Sequence, residues 1–163
     1  MITIRKFTLN DVATTFAYSS DFENTHLMLM VPQKTIEETR DFLEKGIAEY
    51  DKENPEYLSF AVCLNDVHIG EVFAYLSEKE ADIGWLIHKQ YWGKGYATEA
   101  AKLLVEYIKS QLHRNDIVAY CDERNIASQK VMKNIGMEFA GSNGIRTYEK
   151  DVEDWEEVKY QLK

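Results

Sequence analysis

The stretch that decides the fold is QYWGKGYA, residues 90–97, which joins an apolar strand-like run at residues 83–87 to a long amphipathic helical pattern. Gly93 and Gly95 allow the backbone to turn tightly and to bring its N–H groups close to a ligand. The helix that begins near Gly95 points the positive end of its dipole at the same place, and Lys94 adds a formal positive charge. The stretch therefore predicts a cradle for a pyrophosphate group.

Three nucleotide-binding motifs compete for such a loop. A P-loop is excluded because the chain contains no G-x-x-x-x-G-K-[ST] spacing. A dinucleotide-binding fingerprint is disfavoured because Thr98 stands where a third glycine is needed, and because Asp116 falls near the beginning of the next strand and not at its end. The acyl-coenzyme A loop Q/R-x-x-G-x-G/A matches in full, and a glycine turn that merely precedes a helix is the plain alternative.

Length and composition indicate one globular domain. The chain has 163 residues, of which 45% are apolar and two are proline, so it can bury a sizeable core. We expect a single domain over residues 1–163. Because the sequence has no apolar run of membrane-spanning length and no signal-peptide profile at its N-terminus, we expect a cytoplasmic protein without a membrane partner.

The charge balance is acidic, with a net charge of −9 at pH 7. Nucleic acid is therefore not an expected partner, because its binding depends on cationic side chains that neutralise phosphates. A cationic substrate such as an amine would be attracted to this surface. The same acidic residues are also explained as the solvated faces of helices.

Cysteine and histidine residues give no support for a metal site or a disulfide. Cys63 and Cys121 each fall within a predicted strand, which indicates two small buried side chains in a reducing compartment. No cluster of cysteine and histidine has the spacing of metal ligands, because the histidines are scattered. They are His26, His68, His88 and His113.

The periodicity of apolar residues predicts a mixed α/β unit. Predicted strands cover residues 2–7, 58–64, 67–76, 81–87, 116–121 and 137–140, with a last strand within residues 155–162. Predicted helices are a short one capped by Asn10 or Asp11, one at residues 36–50 capped by Thr35, one that begins near Gly95, and one at residues 125–135. Residues 21–31 are expected to be irregular, and residues 141–144, GSNG, to form the turn between the last two strands.

Three consecutive strands, at residues 58–64, 67–76 and 81–87, have no helix between them, so we expect antiparallel pairing. This disfavours a doubly wound parallel sheet, which would place helices between its strands. The helix after the glycine loop carries an apolar stripe with a 3.6-residue period, which we expect to be buried. The stripe consists of Ala97, Ala100, Ala101, Leu104, Val105 and Ile108.

Three motifs occur in order along the chain: ADIGW at residues 81–85, the glycine loop at residues 90–97, and N-x-x-S-x-x-V from Asn125, followed by Gly136-Met137. Together they resemble the GCN5-related N-acetyltransferase (GNAT) superfamily, and their spacing is most similar to its branch of ribosomal-protein N-terminal acetyltransferases. The resemblance covers nearly the whole chain. It implies a single α/β domain with a mostly antiparallel sheet, one splayed parallel strand pair and about four flanking helices.

The resemblance also implies acetyl-CoA as co-substrate, with no metal. Its pantetheine arm would pair with backbone groups of the strand before the loop, one of which would polarise the thioester oxygen, and its pyrophosphate would lie in the glycine loop. Asn125, also explained as a helix N-cap, and Ser128 would face it from the next helix. The positions assigned in this way are Trp85, Leu86, Ile87, Gln90, Gly93, Lys94, Gly95, Tyr96, Ala97, Thr98, Asn125 and Ser128.

Acetyl transfer to an amine requires a neutral nucleophile, whereas a free alkyl ammonium group holds its proton up to a pH of about 10. A carboxylate would help to remove that proton, directly or through water. Asp82 is the first candidate, because histone-acetylating relatives have a glutamate base at the matching strand position. Glu71 is the second candidate base. We expect it on the adjoining strand, about two residues from the position that lies opposite Asp82. Each residue is also explained as a charge at a strand edge.

The departing thiolate has a conjugate acid with a pKa of about 8.5, so a proton donor would assist the reaction without being required. Many relatives have a tyrosine one turn after the serine, but Met132 occupies that position here. Ser128 or a water molecule is left as the donor. Ser128 is equally explained by a hydrogen bond to the pantetheine arm without proton transfer.

These features predict an acetyl-CoA-dependent N-acetyltransferase that acts by direct transfer, without an acetyl-enzyme intermediate. The acceptor is a protein N-terminus, which the branch resemblance favours, or a small-molecule amine. Phe22, Met28, Met30 and Tyr148 either line its site or belong to the core. The missing tyrosine motivates an alternative, a regulatory module that binds acyl-CoA without catalysis. Dimerisation is common in the family, so a homodimer is compatible with the resemblance, although no motif here requires it.

Overall fold

A single seven-stranded sheet organises the protein. The computed structural model describes residues 1–163. In chain order, the strands are β1 (Ile2–Arg5), β2 (Tyr57–Leu64), β3 (Val67–Leu76), β4 (Ala81–Ile87), β5 (Ile117–Asp122), β6 (Met137–Arg146) and β7 (Trp155–Leu162). The helices are α1 (Val12–Ser19), α2 (Phe22–Thr25), α3 (Ile36–Glu49), α4 (Tyr96–Gln111) and α5 (Ile126–Asn134), and short 3-10 turns occur at Leu9–Asp11 and Lys89–Tyr91.

The strand order in the sheet is β1-β2-β3-β4-β5-β7-β6, and every neighbouring pair is antiparallel except β4 and β5. These two parallel strands pair only at Ala81 with Ile117 and at Asp82 with Val118, and then they diverge. The predicted sheet with one splayed parallel pair is therefore confirmed. Five α-helices are present where about four were predicted, because the four-residue α2 lies within the segment expected to be irregular.

One face of the sheet carries the main core, which α4 covers. Ala100, Leu104 and Ile108 of this helix are each at most 1% exposed, as the 3.6-residue period predicted. Ala97 and Val105 lie at the edge of the same contact and are half-buried. Full burial of a leucine or isoleucine side chain contributes about 1.5–3 kcal/mol, so this stripe accounts for much of the attachment of α4 to the sheet.

The opposite face is covered only in part. A smaller buried cluster, formed by Phe7, Val12, Leu43 and Ala61, packs α1 and α3 against β2. Over β3 and β4 this face stays open enough to form a cavity, described below. None of the helices is long and apolar enough to cross a membrane.

The first helix begins directly after Asp11, one of the two predicted cap residues, but the Asp11 side chain makes no capping hydrogen bond to α1. A 3-10 turn at Leu9–Asp11 precedes α1, and Thr8 caps that turn: its side chain accepts a hydrogen bond from the Asn10 N–H at 3.3 Å, and the Asp11 carboxylate accepts one from the Thr8 N–H at 2.9 Å. The side-chain cap therefore lies earlier than the apolar period indicates. The predicted caps Thr35 and Asn125 are confirmed.

The prediction of a turn at residues 141–144 is wrong. Strand β6 runs through these residues, and its pairing with β7 shifts register between Phe139 and Gly141 and again between Ser142 and Ile145. Gly141 and Gly144 have φ angles of 109° and 80°, so the glycines form bulges within the strand. A glycine-rich sequence permits a turn or a bulge equally well. The connection to β7 follows Arg146 instead.

Gly70 offers a test of the close approach between β3 and β4. A Cβ atom there would overlap the backbone oxygen of Leu86 and lie 2.9 Å from Ile87 Cα, so Gly70→Ala forces two paired strands apart. We expect the free energy of unfolding to fall by about 3 kcal/mol in urea denaturation followed by circular dichroism.

The matched control for that substitution is Gly46→Ala, in the middle of α3. A Cβ atom there would meet only Ser59 Oγ, at an ordinary van der Waals distance of 3.5 Å. In a helix interior, alanine is more favourable than glycine by about 1 kcal/mol. Gly46→Ala is therefore expected to stabilise the protein. A Gly70→Ala variant as stable as the parent would contradict the described register.

Candidate active site

The site is built where β4 and β5 diverge. Along one edge, β4 is paired with β3 over its whole length. Along the other edge, β4 pairs with β5 only as far as Asp82 and has no strand partner beyond it. The hydrogen bond from the His88 N–H to Ile69 O fixes the alternation of the antiparallel ladder. It follows that the backbone groups of Leu86 point toward β3, and that those of Trp85 and Ile87 point into the gap.

This geometry differs from the sequence expectation for two of the three strand residues. Leu86 uses its backbone groups in the β3 ladder and contributes only its side chain to the site. The Ile87 carbonyl accepts hydrogen bonds from Asn24 Nδ2 at 2.9 Å and from Trp92 Nε1 at 2.7 Å. Trp85 therefore has the backbone groups best placed to pair with a ligand in the gap. The sequence did not indicate this role for either residue: Trp92 lies within the glycine loop at a position that its motif leaves open, and no motif includes Asn24.

The glycine loop leaves a row of backbone donors without partners. Gly93 and Gly95 have φ angles of 78° and 80°, and Gly95 is the N-cap of α4 with no side chain to cap the helix. None of the N–H groups of residues 93–98 donates a hydrogen bond within the protein. Unpaired donors at a helix N-terminus form an anion site, because they add to the positive end of the helix dipole.

A cavity of about 670 Å³, here called the wedge cavity, connects this loop with the gap beside β4. It is bounded by the N-termini of both α4 and α5. Most of the positions expected to bind the co-substrate line it, namely Trp85, Leu86, Ile87, Gly93, Gly95, Tyr96, Ala97, Thr98, Asn125 and Ser128. Gln90 and Lys94 do not line it. The cavity also includes Arg124 and Lys130, two cations that the sequence motifs did not indicate.

A second cavity of about 670 Å³, here called the acidic cavity, adjoins the first. The two share part of their walls, including Met28, Trp85 and Ser128. Its carboxylates are Glu71, Glu80, Asp82 and Glu157, and its aromatic residues are Phe42, Tyr57, Phe73, Tyr75, Trp85 and Tyr120. Arg146 is its only cation, and this guanidinium is paired with Glu157 at 2.6 Å.

Glu71 and Asp82 both line the acidic cavity but lie farther apart than expected. Glu71 is opposite Leu86 in the β3–β4 pairing, whereas Asp82 is opposite Tyr75. The two positions are four residues apart along the strands, which corresponds to about 13 Å at the rise of a β-strand. Glu71 therefore lies beside the diverging part of β4, and Asp82 lies where β4 and β5 still pair.

Burial raises the pKa of both carboxyl groups to about 7. Glu71 is 4% exposed, and the hydroxyl of Tyr18 is the group that opposes the rise. For Asp82, the neighbouring carboxylates Glu80 and Glu157 add to the effect of burial. Neither Glu71 nor Asp82 forms an ion pair with a lysine or arginine. Both groups are therefore poised to exchange a proton near neutral pH.

The first turn of α5 brings Ser128 to the junction of the two cavities. Asn125 Oδ1 accepts the Ser128 N–H at 3.0 Å, which confirms Asn125 as the helix cap. The Ser128 hydroxyl makes no hydrogen bond within the protein and lines both cavities, so it is free to donate to a ligand. Met132, one turn later, is 1% exposed and supplies no proton donor. Burial raises the pKa of the nearby Cys121 thiol to about 12.

The residues proposed to border the acceptor fall into two groups. Met28 lines both cavities and Met30 lines the acidic cavity. Phe22 is 48% exposed and borders neither. Tyr148 is buried and structural, because its hydroxyl donates to Asp122 Oδ2 at 2.7 Å. No group of three or more histidine, cysteine, aspartate or glutamate residues is arranged to hold a metal ion.

Comparison with known proteins agrees with this arrangement. The family model for the acetyltransferase (GNAT) domain matches residues 1–138. The N-acetyltransferase YnaD of Bacillus subtilis is 32% identical over 163 residues, which cover 98% of this chain and 91% of that protein. An acetyltransferase of the GNAT family from Bacillus anthracis has a TM-score of 0.83 with 28% identity, over 99% of this chain and 93% of the other.

The ribosomal L7/L12 α-N-protein acetyltransferase RimL, solved in complex with coenzyme A, has a TM-score of 0.84 with 17% identity, over 99% of this chain and 94% of the other. At that identity the likeness shows the fold alone. The family assignment depends on the domain match, which covers residues 1–138, and on the full-length similarity to YnaD. The chain is an N-acetyltransferase that belongs to the GNAT family.

Proposed function

We propose that the protein transfers an acetyl group from acetyl-CoA to a primary amine by direct attack, through a tetrahedral intermediate. The observation that carries this proposal is the junction of two cavities beside β4. One of them presents the free N–H groups of residues 93–98, and the other presents two carboxylates without cationic partners. The first suits a pyrophosphate, and the second suits an ammonium group.

The wedge cavity would hold acetyl-CoA along its whole length. The pyrophosphate would accept hydrogen bonds from the N-terminus of α4, and the pantetheine arm would extend along the unpaired edge of β4 toward Trp85. The structure of RimL with coenzyme A supports binding of this co-substrate within the same fold. Lys130 adds positive charge at the cavity wall, whereas the guanidinium of Arg124 is paired with Asp122 Oδ2 at 2.7 Å.

The acidic cavity would hold the amine acceptor. Its carboxylates attract a cation, and its aromatic walls suit the apolar part of the same molecule. RimL, by its name, acts on the α-amino group of a ribosomal protein, so a protein N-terminus is one candidate acceptor. A small-molecule amine is the other.

Glu71 is proposed as the base ahead of Asp82, the reverse of the order that the sequence indicated. Glu71 lies beside the diverging part of β4, next to the proposed path of the thioester. Asp82, by contrast, is the last residue of β4 that still pairs with β5. The carboxylate of Glu71 takes one proton from the ammonium group, and the neutral nitrogen attacks the thioester carbon. Collapse of the intermediate breaks the C–S bond, and the nitrogen loses its second proton, which is passed to the departing thiolate. The Trp85 N–H would stabilise the oxyanion, and Ser128 or water would protonate the thiolate.

Substitution of Gly95 tests the pyrophosphate site. Gly95→Ala keeps the fold, because nothing lies within 4 Å of the added Cβ, but it adds a methyl group to the row of free N–H donors. We expect the Kd for acetyl-CoA, measured by calorimetry, to rise about tenfold or more, which corresponds to about 1.4 kcal/mol.

Gly144→Ala is the matched control for the Gly95 variant. Gly144 has the same φ of 80° and equally open surroundings, but it lies in β6 and does not line the wedge cavity. Both variants place a side chain at the same positive φ, so the comparison isolates the effect of the ligand site. Equal affinities for acetyl-CoA in the two variants would disprove the pyrophosphate assignment.

The pH dependence of turnover tests the base. Because burial raises the pKa of Glu71 to about 7 and only the ionised form accepts a proton, kcat/KM is expected to increase as the pH rises through about 7. Glu71→Gln should lower kcat by about 10²–10⁴-fold, because it removes a general base. Asp82→Asn should raise KM more than it lowers kcat.

Glutamine at position 71 cannot ionise, so the Glu71→Gln variant is expected to stay folded and to bind acetyl-CoA normally at pH 8. That binding serves as its control. The assignment of Glu71 fails if this variant retains kcat while Asp82→Asn loses it.

A thiol-release assay over a panel of acceptors tests the proposed reaction itself. The panel should include short peptides with free N-termini, amino acids, polyamines and aminoglycosides, at pH 8. Turnover with any of them supports N-acetylation and identifies the acceptor class. Tight acetyl-CoA binding without turnover on the whole panel would favour the non-catalytic acyl-CoA module that the buried Met132 motivates.

A further inference from the structure

The acidic cavity contains two carboxylates that no group of the protein neutralises. Glu71 is 4% exposed and Asp82 is half-buried, and neither side chain accepts a hydrogen bond or forms an ion pair within the protein. A carboxylate as buried as that of Glu71 normally has a cation or a hydrogen-bond donor beside it. We therefore expect the missing partners on the molecule that fills the cavity.

The other two carboxylates of this cavity already have partners. The Tyr120 hydroxyl donates to Glu80, with its oxygen 2.8 Å from Oε2 and 2.9 Å from Oε1. Glu157 Oε2 accepts a hydrogen bond from Arg146 Nη1 at 2.6 Å. The cavity therefore offers two separate places for a positive charge, one at each carboxylate that has no partner.

The strand register places these two carboxylates on the same face of the sheet. Glu71 and Tyr75 are four residues apart in β3, so their side chains share a face. Asp82 is directly opposite Tyr75 in β4, and residues that are directly opposite each other in an antiparallel pair point to the same side. The two carboxylates therefore face one cavity and are separated by about 13 Å along the strands.

An aromatic surface lies between the two carboxylates. Phe73 is midway between Glu71 and Tyr75 in β3, and it is directly opposite Gly84 in β4. A Cβ atom at Gly84 would overlap the Phe73 ring, so the missing side chain lets that ring lie against β4. Tyr57 and Tyr75 extend the same surface, with ring centroids 6.3 Å and 5.9 Å from that of Phe73. The glycine of the ADIGW motif thus helps to form an apolar surface with a carboxylate at either end.

We propose that the acidic cavity selects a linear diamine or polyamine as the acetyl acceptor. The ammonium group that reacts binds at Glu71, the aliphatic chain packs over Phe73, and a second ammonium group binds at Asp82. The inference rests on the proposed function, because it names the acceptor of that reaction. Asp82 is then the residue that determines specificity, and it takes no part in proton transfer.

The separation of Glu71 and Asp82 sets the length of the acceptor. An ammonium nitrogen lies about 2.8 Å from the carboxylate oxygen that it contacts, so two nitrogens between these carboxylates are roughly 8–13 Å apart. An extended aliphatic chain advances about 1.25 Å per bond at ordinary bond lengths. A diamine with about eight methylene groups spans about 11 Å and fits, whereas one with about three methylene groups spans about 5 Å and is too short.

The reaction changes only the end of the acceptor that lies at Glu71. The nitrogen there forms a bond to the acetyl carbon as the bond from that carbon to sulfur breaks. Of the two protons that this nitrogen loses, one passes through Glu71 to solvent and the other goes to the thiolate. The products are free coenzyme A and a monoacetylated diamine, which keeps its second ammonium group at Asp82.

The test compares α,ω-diamines with monoamines of the same chain length in a thiol-release assay at pH 8. We expect kcat/KM for octanediamine to exceed that for octylamine by about tenfold or more, because the diamine makes one additional charge-assisted hydrogen bond. Propanediamine is too short to reach both carboxylates, so it should have no such advantage over propylamine. This comparison uses the parent protein and requires no variant.

Substitution of Asp82 tests the site of the second charge. Asp82→Asn should lower the ratio of kcat/KM for octanediamine to that for octylamine by about tenfold. Asp51→Asn is the matched control, because it removes the same charge from an exposed residue that lines neither cavity. It should keep the ratio of the parent. Acetyl-CoA binding, measured by calorimetry, verifies that each variant is folded.

Failure of this inference can be told apart from failure of the proposed function. An active parent that uses diamines and monoamines equally well at every length, or that prefers uncharged peptides, overturns the inference and leaves N-acetylation intact. A parent that binds acetyl-CoA but acetylates no amine overturns the proposed function. Calorimetry with octanediamine then decides the recognition step: binding that Asp82→Asn weakens about tenfold supports it, and absence of binding overturns it.

Discussion

The early divergence of β4 from β5 is the constraint on which the rest of the structure depends. The two strands pair at only two positions, so the edge of β4 that bears Trp85 keeps backbone groups without ladder partners. Such groups are costly when buried unless a ligand, side chain or water pairs with them. The protein satisfies only the carbonyl of Ile87, through Asn24 and Trp92. The gap thereby stays open to a ligand, and the N-termini of α4 and α5 both border it.

Burial has two opposite consequences beside this gap. It makes the ionised forms of Glu71 and Asp82 less favourable, which raises the pKa of each to about 7 and costs stability wherever the carboxylates are ionised. It also makes them effective bases close to neutral pH. Pairing with a lysine or arginine would relieve the cost and lower the basicity, and no such pair is present. Burial in the acidic cavity therefore lowers the stability of the folded protein and raises the basicity of these two carboxylates.

The wall shared by the two cavities is held from far along the chain. Arg146 Nη2 donates to Leu27 O at 3.3 Å, and Lys150 Nζ donates to Thr25 O and Met30 O at 2.7 Å. Two side chains, Arg146 at the end of β6 and Lys150 after it, therefore fix the backbone of a segment that carries Met28 and Met30. Burial lowers the pKa of Lys150 to about 8, yet two carbonyl acceptors hold its ammonium group. The final hairpin shapes the site without lining much of it.

The sequence by itself determined the features that depend on short-range pattern: the glycine loop before α4, the buried stripe of that helix, the Asn125 cap and the order of motifs that identifies the family. Only the tertiary structure decided that GSNG is a bulge and not a turn, that Leu86 turns its backbone away from the gap, and that a bulge in β3 brings His68 to the same face of the sheet as Glu71. The physical reason is that periods and caps are set by residues within one or two turns of each other. Strand register, by contrast, is set by packing between segments far apart in the chain, and a shift of one residue moves a side chain to the other face.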